Sequence, residues 1–382
     1  MKVILSIDPV RFPLTGIGRY TYELARHLKE ITEIEELRYL SGYRFTPLPA
    51  PVQSDVLINS ASSALRSSIL KNSLTIELYS WASPLLKRFA LSRYTDYVYH
   101  GPNFYLPPFK GPTVCNFHDL SIFTWAHCHP PERVKYMRQE IAKSLKRADM
   151  LITDTETTRQ EVAAYFGWPL DKIRAVPLAC SEEFRPRSSD ELKPVLTKYS
   201  LKRQGYSLYV GTIEPRKNLN VLLDAYALLP LSIRQQWPLV LIGYKGWRSE
   251  QLHVRIKTAV KEGWAHYLGF VEADDLPFIY AGARVFVFPS LYEGFGLPVL
   301  EAMASGVPVV CSNASTLPEV TAGAAAMFEP EDVDGLNRLI NKALEDDAWR
   351  NVAIKKGLLQ ASKFSWQRCA EETMAVYKEV LT

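Results

Sequence analysis

Apolar residues along this chain fall into two alternating patterns. Short runs that are apolar throughout occur at Val3–Ile7, Thr113–Phe117, Met150–Thr153, Ser207–Val210, Leu239–Ile242, Val285–Phe288 and Val307–Cys311. Such runs read as strands buried on both faces, as in a parallel sheet. Between them lie segments with helical spacing, such as Ile17–Leu28, where positions 17, 20, 24 and 28 are apolar. Alternating strands and helices predict an α/β, doubly wound architecture. The logic runs twice. The first half opens with a strand, a glycine loop and a helix. The second restarts with a strand at Ser207, a loop containing Gly211 and a helix from Asn218. Between them, Ser181–Lys202 carries Pro186 and Pro194 among charged and polar residues and reads as the break. The expected domains are 1–185 and 200–365, with a final helix over 366–382 crossing back to the first. Two such domains form a cleft lined by strand C-terminal ends, where doubly wound folds bind ligands.

With 382 residues, the chain is long enough for two ordinary cores. Its 47% hydrophobic and 23% charged residues fit a globular protein. A formal net charge of +4, with no basic run interleaved with aromatics, gives no sign of nucleic-acid binding. The N-terminal apolar run is broken at Asp8 and reads as a first strand, not a signal peptide. No stretch reaches the roughly 18 uncharged apolar residues of a membrane span. Five scattered cysteines, none in a CxxC pair, suit a reducing cytoplasm.

Two clusters carry candidate chemistry. After the strand Val285–Phe288 comes Pro289-Ser290-Leu291-Tyr292-Glu293-Gly294-Phe295-Gly296-Leu297-Pro298, then a short helix containing Glu301 and ending at Gly306. The glycines let backbone approach a ligand, and the free N–H groups of the helix start favour an anion. Two acids straddling that start suit hydroxyls on either side of a diphosphate. The second cluster is Gly211-Thr212-Ile213-Glu214-Pro215-Arg216-Lys217-Asn218. Cations at a helix N-terminus oppose its dipole, so an anionic ligand explains Arg216 and Lys217 better than solvent does. Gly16 and Gly18 do not complete a dinucleotide fingerprint, because position 21 is Thr. Neither HExxH nor paired CxxC is present, and Asp274-Asp275 lacks the spacing of a metal-binding Asp-x-Asp. Asp154-Thr155-Glu156 is the nearest spaced pair and reads as a helix start.

Taken together, Glu-Gly-Phe-Gly-Leu-Pro-x-x-Glu and Gly-Thr-x-Glu-Pro-Arg-Lys-Asn resemble the retaining family 4 glycosyltransferases of GT-B fold. Glu293 and Glu301 match that family's Glu-x7-Glu signature, Pro13–Tyr20 its N-terminal glycine loop, and His118-Asp119 its short histidine segment. The resemblance implies a nucleotide-sugar donor and no metal or other cofactor. It makes Glu293 and His118 the residues facing the transferred hexose, with the backbone of Phe295, Gly296 and Leu297. It gives Arg216 and Lys217 to the diphosphate, Glu301 to the ribose, and Gly16 of the glycine loop to the donor site. Many members carry Arg where Thr212 stands, and Arg216 is the neighbour able to supply that charge. The base is expected around Val271. Similarity to bacterial lipopolysaccharide O-chain mannosyl- and rhamnosyltransferases favours a GDP-sugar, GDP-mannose first, over a UDP-hexose. It also implies a polyprenyl-diphosphate-linked saccharide acceptor and so an approach to the inner face of the cytoplasmic membrane. Residues 60–110 hold six cations against two acids, and Trp81, Leu85, Leu86, Lys87, Arg88 and Phe89 mix apolar with basic character as an interfacial segment would. An ordinary amphipathic helix with a solvated basic face is the alternative for that segment. For the whole chain, the alternatives are a sugar-nucleotide epimerase, a glycan phosphorylase, or a binding protein that kept only the nucleotide pocket.

Overall fold

The structure, a computed structural model, describes residues 1–50 and 85–382. Seven strands form the first sheet: β1 (Lys2–Ser6), β2 (Glu36–Ser41), β3 (Arg44–Phe45), β4 (Val98–Gly101), β5 (Thr113–Phe117), β6 (Met150–Thr153) and β7 (Ile173–Ala175). Their order is β3-β2-β1-β4-β5-β6-β7, parallel except for the β2–β3 pair. Six more form the second: β8 (Ser207–Val210), β9 (Leu239–Ile242), β10 (Ala265–Gly269), β11 (Val285–Phe288), β12 (Val309–Ser312) and β13 (Ala326–Phe328). These are all parallel, ordered β10-β9-β8-β11-β12-β13. In each sheet the chain winds outward one way from the first strand and then the other. The points of reversal lie between β1 and β4 and between β8 and β11.

The central strands β4, β5, β6, β9, β11 and β12 are buried along their whole length. Helices cover both faces of each sheet, which is why most of these strands are largely apolar; β4, sequence VYHG, is buried without an apolar run. β2, sequence ELRYLS, is mostly half-buried and polar, and the apolar-run criterion passes over both. Helix Gly16–Leu28 buries Tyr20, Leu24, Ala25 and Leu28 on one face, three of them at positions the spacing predicts. The stretch read as the break contains a helix, Ser189–Lys198, with Pro194 inside it. A capping box joining Ser188 and Glu191 starts that helix, and burial of Leu192 and Leu196 holds it. These outweigh a proline cost of about 3 kcal/mol.

The last helix, Trp366–Val380, lies along helix Gly16–Leu28 and near β5. Its Tyr377 hydroxyl meets His100 Nδ1 of β4 at 2.6 Å, and Trp366 stands 6.3 Å from the Tyr20 ring. Arg174 and Glu379 pair at 2.6 Å, and Lys378 and Glu33 at 3.3 Å.

Candidate active site at the facing strand ends

Because β8 and β11 are neighbours, the loops at their C-terminal ends meet. Leu291 donates its backbone N–H to the Arg216 carbonyl at 2.9 Å. Residues Pro215–Lys217 make a single 3-10 turn, ended by Asn218 in the left-handed region at φ 56°. That turn aims two cations at one carboxylate. Lys217 Nζ donates to Glu293 Oε1 at 2.5 Å, and Arg216 lies 3.5 Å from Glu293 Oε2 while pairing with Glu214 at 2.8 Å. Arg216 also donates to the Tyr292 carbonyl at 2.5 Å. All four charged side chains are nearly buried. Burial opposes ionisation of Glu293, yet Lys217 and Arg216 hold its carboxyl below the ordinary range. Burial likewise opposes the Arg216 charge, but Glu293, Asp119 and Glu214 more than compensate and raise its pKa. Burial pushes Lys217 down despite Glu293. The result is a nearly buried cluster of two cations and two anions, costly to disturb on one side only.

Helix Leu297–Ala304 follows at once. Its N-cap is Gly296 at φ 96°, a conformation that side chains disfavour. Pro298 sits in the first turn, where its missing N–H costs nothing. Glu301, one turn in, is 8% exposed, and burial raises its pKa to about 7, with Arg19 of the first helix partly offsetting.

The opposite wall comes from β1, β5 and β6. His118 follows β5, and Asp154 follows β6. The His118 ring contacts the Asp154 carboxylate through Nδ1 at 2.9 Å and the Pro102 carbonyl through Nε2 at 2.8 Å. Both partners are acceptors, so a doubly protonated ring fits. Burial disfavours that charge, but Asp154 prevails and the His118 pKa is raised. The two walls touch at Gly294. A Cβ there would lie 1.8 Å from the His118 carbonyl oxygen, so only glycine permits the contact.

Beside that contact lies a cavity of ≈ 210 Å³, lined by Gly16, Ile17, Tyr20, His118, Asp119, Asp154, Leu178 and the run Glu293–Pro298. It brings together Gly16, His118, Glu293, Phe295, Gly296 and Leu297. Arg216 and Lys217 stand behind Glu293 rather than on the lining, and Glu301 lies one turn down its helix. Phe295 is buried edge-on against Phe364 at 5.8 Å, which leaves its backbone for any ligand. Thr212 accepts from the Tyr209 hydroxyl through its carbonyl at 3.3 Å. Val271 is packed in the second core, while its neighbour Phe270 is 52% exposed and stacks on Tyr244 at 5.3 Å. Asp154 is the site partner that sequence reasoning misses: it is taken there only as part of a helix start. Asp275 pairs with Lys198 at 2.7 Å, a structural role. Among the described residues, no group of three or more His, Cys, Asp or Glu is placed to hold a metal ion, and no helix is long and apolar enough to cross a membrane.

Residues 14–183 match the family model described as Glycosyltransferase Family 4, and residues 197–359 that of Glycosyl transferases group 1. O-antigen chain mannosyltransferase B of Escherichia coli is 46% identical over 379 residues, covering 99% of this chain and 100% of the relative. The chain belongs to the glycosyltransferases of GT-B fold. Sucrose-phosphate synthase from Thermosynechococcus elongatus, at 19% identity, superposes with a TM-score of 0.71 over 100% of this chain and 99% of its own. Escherichia coli WbdA, a serotype-specific mannosyltransferase, is 35% identical over 277 residues, 70% of this chain and 34% of the longer relative. The glycosyltransferase's two sheets are thus the two walls of a GT-B cleft.

Proposed function

We propose that this glycosyltransferase moves a hexose, mannose first, from a GDP-sugar to a polyprenyl-diphosphate-linked saccharide in the assembly of a lipopolysaccharide O-chain. The observation that carries the reading is the buried Arg216–Lys217–Glu293 cluster at the β8/β11 reversal, where a doubly wound sheet binds its ligand. In the structure Glu293 is the counter-ion of both cations. A donor diphosphate would take over that role and release the carboxylate toward the hexose. Arg216, Lys217 and the first N–H groups of helix Leu297–Ala304 then stabilise the departing nucleoside diphosphate, as a metal ion does elsewhere. Gly16, across the cavity, leaves room for the diphosphate; no atom lies within 4 Å of where its Cβ would be.

The donor C1–O bond to phosphate breaks, and a bond from C1 to the acceptor hydroxyl oxygen forms on the same face, giving retention. The acceptor proton passes to the leaving diphosphate. Glu301 accepts from the ribose, and the backbone near Val271 and Thr212 frames the nucleotide. His118, fixed by Asp154, bounds the hexose from the other wall.

The preference for a GDP-sugar and a lipid-linked acceptor is supported by the full-length similarity to an O-antigen chain mannosyltransferase. For contact with an anionic membrane, the support lies in residues 85–91, a helical stretch on which Leu85, Leu86 and Phe89 are 62%, 47% and 82% exposed beside Arg88. Of the rest of that expectation, Lys87 pairs with Asp8 at 2.6 Å, and residues 60–84, with Arg66, Lys71 and Trp81, lie outside the described residues.

The first test is thermal unfolding with GDP, UDP, ADP and NAD, each with and without EDTA. A ligand at a hundredfold excess over its Kd stabilises by about 2.7 kcal/mol. Stabilisation by GDP alone, unchanged by EDTA, is expected. Stabilisation by UDP instead would replace the donor, and stabilisation by no nucleotide would overturn the reading.

A further inference from the structure

The two halves of the glycosyltransferase are joined by a contact that none of the motifs announces. Glu319, in the short helix Leu317–Thr321 of the second half, extends its carboxylate to the start of helix Glu156–Phe166 in the first. Its Oε1 accepts from the Glu156 N–H at 2.7 Å. Its Oε2 accepts from the Thr157 N–H at 2.8 Å and from the Thr157 hydroxyl at 2.7 Å. A helix start has four backbone donors without partners inside the helix. Here Thr155, the N-cap, serves Thr158 N–H at 3.1 Å, and a residue more than 160 positions away serves two others. The carboxylate native to that turn, Glu156, is turned to Arg159 at 2.8 Å.

What flanks the contact on each side is the active site. On the first half, Asp154 orients His118, and the hydroxyls of Thr155 and Thr158 reach the Gly294 carbonyl at 3.4 Å. On the second, Ser315 and Thr316 donate to the Glu293 carbonyl at 2.6 and 3.1 Å, directly before the helix that carries Glu319. Farther along the same first-half helix, Glu161 accepts from the Tyr292 hydroxyl at 2.7 Å. The start and body of one helix of the first half are therefore gripped by three residues of the other wall, Tyr292, Gly294 and Glu319. The grip at Glu319 is the one made with three donors at once.

We propose that Glu319 is a positioning residue for transfer: a latch across the cleft that fixes the His118–Asp154 wall against the Glu293–Gly296 loop. Opening it separates the walls without touching the cluster that binds the nucleotide, because Arg216, Lys217 and Glu301 all belong to the second half. The inference rests on this cleft being the site of transfer. Closure in two-domain enzymes completes the reacting constellation, and a misplacement near 1 Å costs up to about 100-fold in rate.

The experiment compares wild type with Glu319→Gln, Glu319→Ala and Thr157→Val. It measures kcat with GDP-mannose and a synthetic lipid-linked acceptor, the Kd for GDP, and the radius of gyration in solution. Glu319→Gln keeps the size of the side chain but replaces one acceptor oxygen with a donor that faces an N–H. The latch predicts a kcat lower by about 10- to 100-fold, a GDP Kd within twofold of wild type, and a larger radius of gyration. Thr157→Val, which removes only the hydroxyl partner, should show a smaller fall in the same direction and add little when combined with Glu319→Ala. Unchanged kcat and radius in Glu319→Gln would overturn the proposal. So would a fall in kcat matched by an equal loss of GDP affinity, which marks a general folding defect. If wild type transfers from none of the donors tried, the radius alone decides the latch: expansion in Glu319→Gln and Glu319→Ala supports it, and no expansion overturns it. The functional reading would then fail separately.

Discussion

The two walls of the cleft are built from the same kind of part, a loop after a parallel strand, and they differ in how they hold charge. The second-half wall packs Arg216, Lys217, Glu214 and Glu293 into one buried cluster whose charges sum to zero. The first-half wall holds the His118–Asp154 pair, with Asp119 beside it on the cavity lining and Arg19 of its first helix facing Glu301. A buried cluster of alternating sign is a poor way to gain stability, since apolar residues of like volume often do as well or better. On the proposed reading its value lies in fixed cations that a donor diphosphate can take over from Glu293. The charges of the first wall are spread along it rather than packed into one cluster, as the proposed role of bounding a neutral sugar requires.

The largest way to break this asymmetry is to unbalance the charged wall. Arg216→Ala leaves the buried Glu214 carboxylate without its partner and should destabilise the fold by about 3–5 kcal/mol; Lys217→Ala, which leaves Glu293 its longer contact with Arg216, should destabilise it less. Transfer activity should fall by about 100-fold or more, in line with removal of a preorganised charge-stabilising group. Glu293→Gln should match that loss of activity while the protein still binds GDP, because both cations remain. Denaturant melts and initial rates check these together. Equal activity in Glu293→Gln and wild type would remove Glu293 from the reaction.

The next effect concerns the contact between the walls. Gly294→Ala puts a methyl where the His118 carbonyl lies 1.8 Å away. The walls must part, and the rate should drop by roughly 100-fold with GDP affinity preserved. A rate near wild type would show that the walls need not meet at that point during transfer.

The smallest effect separates function from stability within the charged wall. The pKa of Glu301 is raised to about 7 by burial, against an unfolded value near 4.5. Between those pH values the folded protein keeps a proton that the unfolded chain releases, so stability falls as pH rises through the window. Glu301→Gln should therefore leave stability unchanged near pH 4.5 and raise it by up to about 3 kcal/mol above pH 7. The donor KM should rise at the same time, by about tenfold, for loss of a charged hydrogen-bond acceptor. Stability measured across pH 4.5–8 with parallel donor titrations checks both signs.

Much of this fold was legible from residue pattern, and the reason is burial. β5, β6, β8, β9 and β11 are buried at nearly every position, so their sequences are mostly apolar and stand out. β2 is polar and half-covered, and β7 and β13 are three residues long, too short for any period to register. On the site, adjacency along the chain decided what could be seen. Glu293, Gly294, Gly296 and Glu301 lie in one stretch, and Arg216 and Lys217 in another, so local chemistry marks them. Asp154 stands 36 residues from His118 and Glu319 stands 163 from Glu156. Only the crossovers of the two sheets bring those pairs together. Phe295 and Val271 teach the converse. Both sit beside the expected ligand positions in sequence, and both spend their side chains on the core.

The most direct measurement on this cleft is transfer itself. The enzyme, in excess EDTA, is given GDP-mannose and a polyprenyl-diphosphate-linked saccharide acceptor, and the product is analysed by NMR for its anomeric configuration. The expected result is one new mannosyl residue with the α configuration of the donor retained, at a rate unaffected by EDTA, and a rate lower by about 100-fold or more for Glu293→Gln. An inverted linkage, a rate abolished by EDTA, or transfer from UDP-hexoses but not from GDP-mannose would contradict the proposed function.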